Sequence, residues 1–187
     1  MDGFYTKDEL LAIGFKSVGE NVLISKKTSI YGASNIIIGS NVRIDDFCLL
    51  VGKIEIHDYV HIGAYCGLHA SQGGTIIFED YSGISSNVNI YASTDIFDGE
   101  YCCARPGLNN DCFNTITSEV RLGKYSQVGT GSTVIPGGSL QEGSAVGAMS
   151  LVNKPLEPWS IYFGIPCRFY KKRRKELIEK ISKNTRD

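Results

Sequence analysis

Aliphatic residues recur at every sixth position over most of this chain. Ile38, Ile44, Leu50, Ile56, Ile62 and Leu68 share one register, and Leu122, Val128, Val134, Leu140, Val146 and Val152 share another. Two shorter runs, Val18, Ile24, Ile30, Ile36 and Phe78, Ile84, Ile90, complete the set. A period of six fits neither the 3.6-residue turn of an α-helix nor the alternation of an ordinary strand. It fits a parallel β-helix of hexapeptides, in which three short strands make one coil of about 18 residues and the coils stack along an axis.

The other hexad positions agree. Gly often follows the aliphatic residue (Gly19, Gly39, Gly63, Gly123, Gly129, Gly147), where it is expected to serve tight corners through its tolerance of φ > 0. Two positions before the next aliphatic stands a smaller residue: Val42, Cys48, Val60, Cys66, Ser126, Ser132, Ser144 or Ser150. It is expected to turn inward near a corner, where volume is scarce.

The pattern divides the chain. Thr6-Lys-Asp-Glu9 has the form of a capping box and predicts a short helix over residues 7–13, ended by Gly14 and covering the open first coil. Coils run from about residue 18 to 91, with register shifts between Ile36 and Ile38 and again at the insertion 69–75. Residues 92–119 break the period. They are polar, with Tyr101, Cys102, Cys103 and Phe113 as anchors, and an excursion of this length in a compact repeat is usually functional or disordered. The repeat resumes at Val120 and stops after Val152. Pro155, Pro158 and Pro166 mark an extended exit, and residues 169–184 read as a basic helix. We therefore expect a single domain, 1–187: an N-terminal helical cap over 1–16, a β-helix over 17–158 with the external loop 92–119, and a C-terminal tail and helix over 159–187.

A net charge of −1 gives no global field that would draw the chain to nucleic acid. No apolar run reaches the ~18 residues of a membrane-spanning helix, and the N-terminal residues lack a signal-peptide core, so a cytoplasmic protein is expected. Cys48 and Cys66 fall on inward positions, where a thiol acts as a small hydrophobe. No Cys-x-x-Cys pair is present, so we expect reduced thiols and no metal site.

Three segments carry a resemblance: Val128-Gly-Thr-Gly-Ser-Thr-Val-Ile-Pro-Gly137, Val146-Gly-Ala-Met-Ser-Leu-Val-Asn-Lys154 and Gly164-Ile-Pro-Cys-Arg168. With the hexads, they resemble the left-handed β-helix acyltransferases, in particular the galactoside and maltose acetyltransferase branch and its relatives that acetylate surface-polysaccharide sugars. The left hand of the coil is implied by that resemblance, as is a homotrimer with active sites between adjacent prisms. So is transfer of an acetyl group from acetyl-CoA to a hydroxyl or amine of a sugar or sugar nucleotide. The resemblance places Thr130, Gly131, Ala148 and Ser150 along the pantetheine arm, with Lys154 and Arg168 on the phosphates, where an Arg fork matches phosphate oxygens.

The acceptor side is more open. Acetyl transfer calls for a proton acceptor, usually histidine, and the chain has His57, His61 and His69. Where the galactoside branch has its catalytic His, this chain has Asp95. Asp58-Tyr-Val-His61-Ile62 resembles a segment of sugar-nucleotide N-acetyltransferases of the bacillosamine and sialic-acid type. His61 is expected to face outward, toward the Asp95 of another chain. His69 opens an insertion one coil below Asp95 at the same corner, and His57 reads as a corner residue. His61, His69 and Asp95 are thus the catalytic candidates. The alternatives are a serine or antibiotic acetyltransferase and a non-catalytic β-helix assembly subunit. Zinc-dependent carbonic-anhydrase chemistry would need a histidine spacing that this chain lacks.

Overall fold

The computed structural model describes residues 3–103 and 107–184. One face of the coil is a parallel ladder of Leu23–Ile24, Arg43–Ile44, His61–Ile62, Gly83–Ile84, Gln127–Val128, Ala145–Val146 and Ser160–Phe163. The other two faces merge into an eleven-stranded sheet, because Leu49–Ile56 and Gly67–Phe78 run around the third corner without a break. Ile44 stacks on Ile62 and Val128 on Val146, each pair 18 residues apart, as three hexads per coil require. Ile62 meets Ile84 and Ile84 meets Val128, so the insertion near 70 and the excursion after 91 are both absorbed between stacked rungs.

The aliphatic positions form the core. Ile24, Ile44, Leu50, Ile56, Ile62, Leu68, Ile90, Val134 and Val152 are all fully buried. The smaller residue two positions earlier is buried as well, from Val42 and Cys48 to Ser132 and Ser144. Beyond the excursion this position changes to Ser. Ser132 Oγ donates to Gly147 O at 2.9 Å and Ser144 Oγ to Gln141 O at 2.8 Å, whereas the buried Ser126 Oγ has no partner among the described residues. A buried hydroxyl left unpaired would cost about 1–3 kcal/mol, so the bonds are part of the fold's energetics.

The glycines require a correction. Those that follow the aliphatic residue do not have positive φ; the left-handed residue lies three positions after it and is commonly Asn or an aromatic, as at Asn41, Phe47, Tyr59, Tyr65, Tyr81 and Tyr125. What these glycines supply is close approach. A Cβ on Gly123 would lie 2.8 Å from the backbone of Gln141, and one on Gly129 2.6 Å from Ala148 N. The neighbouring coil occupies the space.

The aromatic corner residues stack from coil to coil. Tyr59, Tyr81 and Tyr125 have ring centroids 4.7 and 5.4 Å apart, and Trp159 reaches Tyr125 at 6.1 Å across Gly143, which has no side chain in the way.

At the N-terminus the expected helix is present as α1 (Lys7–Ile13), with both bonds of the Thr6–Glu9 capping box and Gly14 in the left-handed region. The C-terminus differs from expectation. Parallel stacking continues to Ser160–Phe163, past residue 158, and Arg168–Lys172 then pairs antiparallel with it. Only Glu176–Asn184 is helical (α2). The last rung would otherwise present an unpaired edge, and Arg168–Lys172 covers it. The basic run therefore lies mostly on a strand and a linker. Within it, Arg173 donates to Tyr125 O, Gly143 O and Gln127 Oε1 at 2.7–2.9 Å and pins the tail across the coils. All six cysteines are free thiols.

Candidate functional site

Along the first face the outward residues align as Arg43, His61, Gly83, Gln127 and Ala145. Gly83 leaves a gap in that row. The gap opens into a groove of about 650 Å³ whose walls include Tyr59, Tyr81, His61, Ser85, Gln127 and Gly129. At one end His61 Nε2 lies 2.8 Å from Asp45 Oδ2, while Arg43 Nε donates to Asp45 Oδ1 at 2.7 Å. Partial burial pushes Asp45 up, but the hydrogen bonds from Arg43 and His61 outweigh it and hold the carboxyl below the usual carboxylate range. The partner of His61 within the chain is therefore Asp45.

Asp95 lies at the third corner. There a cavity of about 270 Å³ is lined by His69, Ser71, Tyr91, Ser93, Asp95, Phe97 and Thr115, among others. The 69–75 insertion and the base of the excursion do meet, as counted from the hexads. His69 and Tyr91 occupy the same register on successive coils and stack at 4.4 Å, nearly parallel at 5°. The ring leans over Gly67, where a Cβ would lie 2.6 Å from His69 Nε2. Ser93–Asp95 pairs antiparallel with Thr115–Thr117, which ties the base of the excursion into a short ladder. Residues 104–106, with Arg105 and Pro106, lie outside the described residues. Half-burial pushes the His69 imidazole below its ordinary value, so it is neutral at neutral pH and able to accept a proton. Of the two histidine candidates, His69 is thus the one that shares a cavity with Asp95 in one chain. His57 is a corner residue 4.0 Å from Asp80.

The expected cofactor residues gather at the second corner and the C-terminal end. The amide of Gly131 is engaged with Ser86 O and that of Ser150 with Ser132 Oγ, both at 3.1 Å. Among the described residues no hydrogen bond takes the amides of Thr130 and Ala148, which leaves two of the four expected donors available. Ser150 is buried, and its hydroxyl accepts from Gly164 N at 3.0 Å, bringing the Gly164–Arg168 segment against the coil. Lys154 and Arg168 are both exposed. They come to one end of the molecule, because Cys167 N bonds Leu151 O and Cys167 lies within the field of Lys154. Such a pair of solvated cations suits phosphate groups. Among the described residues no set of three or more His, Cys, Asp or Glu side chains is placed to hold a metal ion, and no helix is long and apolar enough to cross a membrane.

Asp45, Gly83 and Ser85 were missed in the sequence. Arg43 and His61 lie one coil apart, which puts them in one row, but the hexads do not specify how Asp45 turns between them. The gap at Gly83 needs the register of three successive rungs.

The family model of the bacterial transferase hexapeptide (six repeats) matches residues 35–70. The chain is 43% identical over 174 residues to a dTDP-4-amino-4,6-dideoxy-D-glucose acyltransferase of Escherichia coli, covering 91% of this chain and 89% of that one. It is also similar to crystal structures of AntD, an N-acyltransferase from Bacillus cereus. One, in complex with dTDP-4-amino-4,6-dideoxyglucose and coenzyme A, superposes with a TM-score of 0.94 at 44% identity, over 99% of this chain and 98% of that one. Another, with dTDP and 3-hydroxybutyryl-CoA, has the same score and identity and covers 99% and 97%. The substituted forms of AntD include a serine and an aspartate ten positions apart. In the present sequence one serine–aspartate pair has that order and spacing, Ser85 and Asp95.

Proposed function

Because this chain belongs to the left-handed β-helix, hexapeptide-repeat acyltransferases, we propose that it moves an acyl group from acyl-CoA to the 4-amino group of a dTDP-linked 4-amino-4,6-dideoxyhexose. The observation that carries this reading is the near full-length match to AntD, solved with the dTDP-amino sugar and coenzyme A and, separately, with dTDP and an acyl-CoA. Asp95 supports it from within the chain. An amine needs less help from a base than a hydroxyl does, and a carboxylate at the corner accepts a hydrogen bond from an amine and stabilises the positive charge that grows on it.

The reaction is a direct transfer. The amine nitrogen attacks the thioester carbonyl, the C–N bond forms, the C–S bond breaks, and the amine's surplus proton ends on the coenzyme thiol. Asp95 orients the amine. Neutral His69 is the nearby group able to carry the proton, and His61, set by Asp45, is the second candidate. The amides of Thr130 and Ala148, beside Gly131 and Ser150, bind the pantetheine arm, and Lys154 and Arg168 take the phosphates.

Ser85 faces the groove on one side of the prism and Asp95 the cavity at another corner. A homotrimer in which these surfaces of adjacent copies face each other would unite them, and sedimentation velocity reads that state directly. The reaction is assigned to the cytoplasm, supplying an acylated sugar nucleotide for surface-polysaccharide assembly. Incubating the protein with the dTDP-amino sugar and either acetyl-CoA or 3-hydroxybutyryl-CoA, while free thiol is followed, tests the function and the donor together. Thiol release that does not require the amino sugar would count against it. Charge-assisted hydrogen bonds are worth roughly 1.5–3 kcal/mol, so Arg168→Ala should raise the acyl-CoA dissociation constant about tenfold or more. An unchanged constant at moderate salt would make Arg168 structural.

A further inference from the structure

Phe97 is 81% exposed, more than any other large apolar side chain among the described residues. It stands on a polar excursion, outside the core, and its ring borders the cavity that holds Asp95 and His69. The backbone between them is extended. Ser93–Asp95 is a strand, and Ile96 N continues its pairing by donating to Asn114 O at 3.3 Å. Residues two apart on an extended chain point to the same side, about 6.8 Å apart. Asp95 and Phe97 thus offer the cavity a carboxylate and an aromatic ring side by side.

The rest of the lining is of a different kind. The flat His69–Tyr91 stack makes one wall. Ser71 and Ser93 supply two hydroxyls, hydrogen-bonded to each other at 3.0 Å. The site is therefore polar except at that wall and at Phe97. A 4-amino-4,6-dideoxyhexose has a matching asymmetry. Its amine on C4 and its methyl on C5 are adjacent substituents, one basic and one apolar, while its remaining edge carries hydroxyls.

We infer that Phe97 is a specificity-determining residue, which receives the C6 methyl of the acceptor while Asp95 holds the amine beside it. The inference rests on the proposed function and adds to it the basis for choosing a 6-deoxy sugar. A 6-hydroxy amino sugar would have to place its hydroxymethyl group against the ring and lose part of that hydroxyl's hydration. Apolar sites reject such an added hydroxyl only modestly, by about 10²-fold at most.

The test compares kcat/KM for the dTDP-linked 4-amino-4,6-dideoxyhexose and its 6-hydroxy counterpart, in wild type, Phe97→Ala and Phe97→Leu. Wild type should prefer the deoxy sugar by roughly 10- to 100-fold. Phe97→Ala should bring the ratio close to one, chiefly through a higher KM for the deoxy sugar, and Phe97→Leu should keep most of it. The melting temperature should not move in either variant. An unchanged ratio in Phe97→Ala overturns the inference. So does a change in sedimentation coefficient, which would make Phe97 a contact between copies. A wild type that acylates neither sugar overturns the proposed function, and this inference with it.

Discussion

Asp95→Ala should lower kcat/KM for the amino sugar by roughly 10- to 100-fold, the worth of one charge-assisted hydrogen bond to a reacting group. Acyl-CoA affinity and the melting temperature should stay near wild type, because Asp95 is part-exposed at the mouth of a corner cavity. His69→Ala should cost more, roughly 10²- to 10⁴-fold in turnover, the range of a positioned proton acceptor. His61→Ala is the comparison. His61 lies in the groove with Ser85 and has its own carboxylate at 2.8 Å. If turnover collapses in His61→Ala and survives in His69→Ala, the proton acceptor is on the groove, and the assignment to His69 is wrong. If both variants remain active and Asp95→Ala does not, the amine's proton passes to the departing thiolate without a histidine.

A single methyl group on Gly52 should be among the most damaging changes to the fold. Gly52 has φ +88°, and a Cβ there would lie 1.9 Å from the carbonyl oxygen of Ala70. Left-handed backbone costs an alanine about 1–2 kcal/mol, and forcing a close-packed neighbour aside typically about 1–3 more. For a chain of this size the two together predict a fall in melting temperature of roughly 5–15 °C. Gly73→Ala is the control, since Gly73 has φ +93° and open space around its Cβ. It should lose only the part due to strain. Equal losses in the two variants would show that the Ala70 backbone gives way freely. The collision lies directly under His69–Ser71, so Gly52→Ala should also lower turnover in the surviving folded protein.

The coil could be read from the sequence because its core obeys one local rule repeated many times. Ile44, Ile62, Val128 and Val146 announce the same stack once in each coil, and insertions between them do not erase it. The capping box was legible for a related reason, since Thr6 and Glu9 close it within four residues. The last rung was not legible. Arg168–Lys172 became a strand because an unpaired edge was waiting for it, and that edge exists only after the coil has folded. The role of the hexad glycines is hidden from the sequence for a similar reason. Tolerance of positive φ is a property of glycine alone, whereas closeness to the next coil belongs to the stack. In the site, Asp95 and His69 could be placed at one corner by counting coils. The pairing of His61 with Asp45 depends on side-chain direction at a corner, which the hexad rule leaves unspecified.

The stacked aromatic corner has a consequence for how such a protein can change. Tyr59 and Tyr81 are 22 residues apart and Tyr81 and Tyr125 are 44 apart, yet the ring spacing differs by less than an ångström. The aromatic corner does not register how much chain has looped out at the corner that carries His69 and Asp95. The segment at that corner can therefore be exchanged, as a cartridge is swapped, while the aromatic column and the core keep their shape. A lineage built on this coil can explore new sugars without first solving the folding problem again.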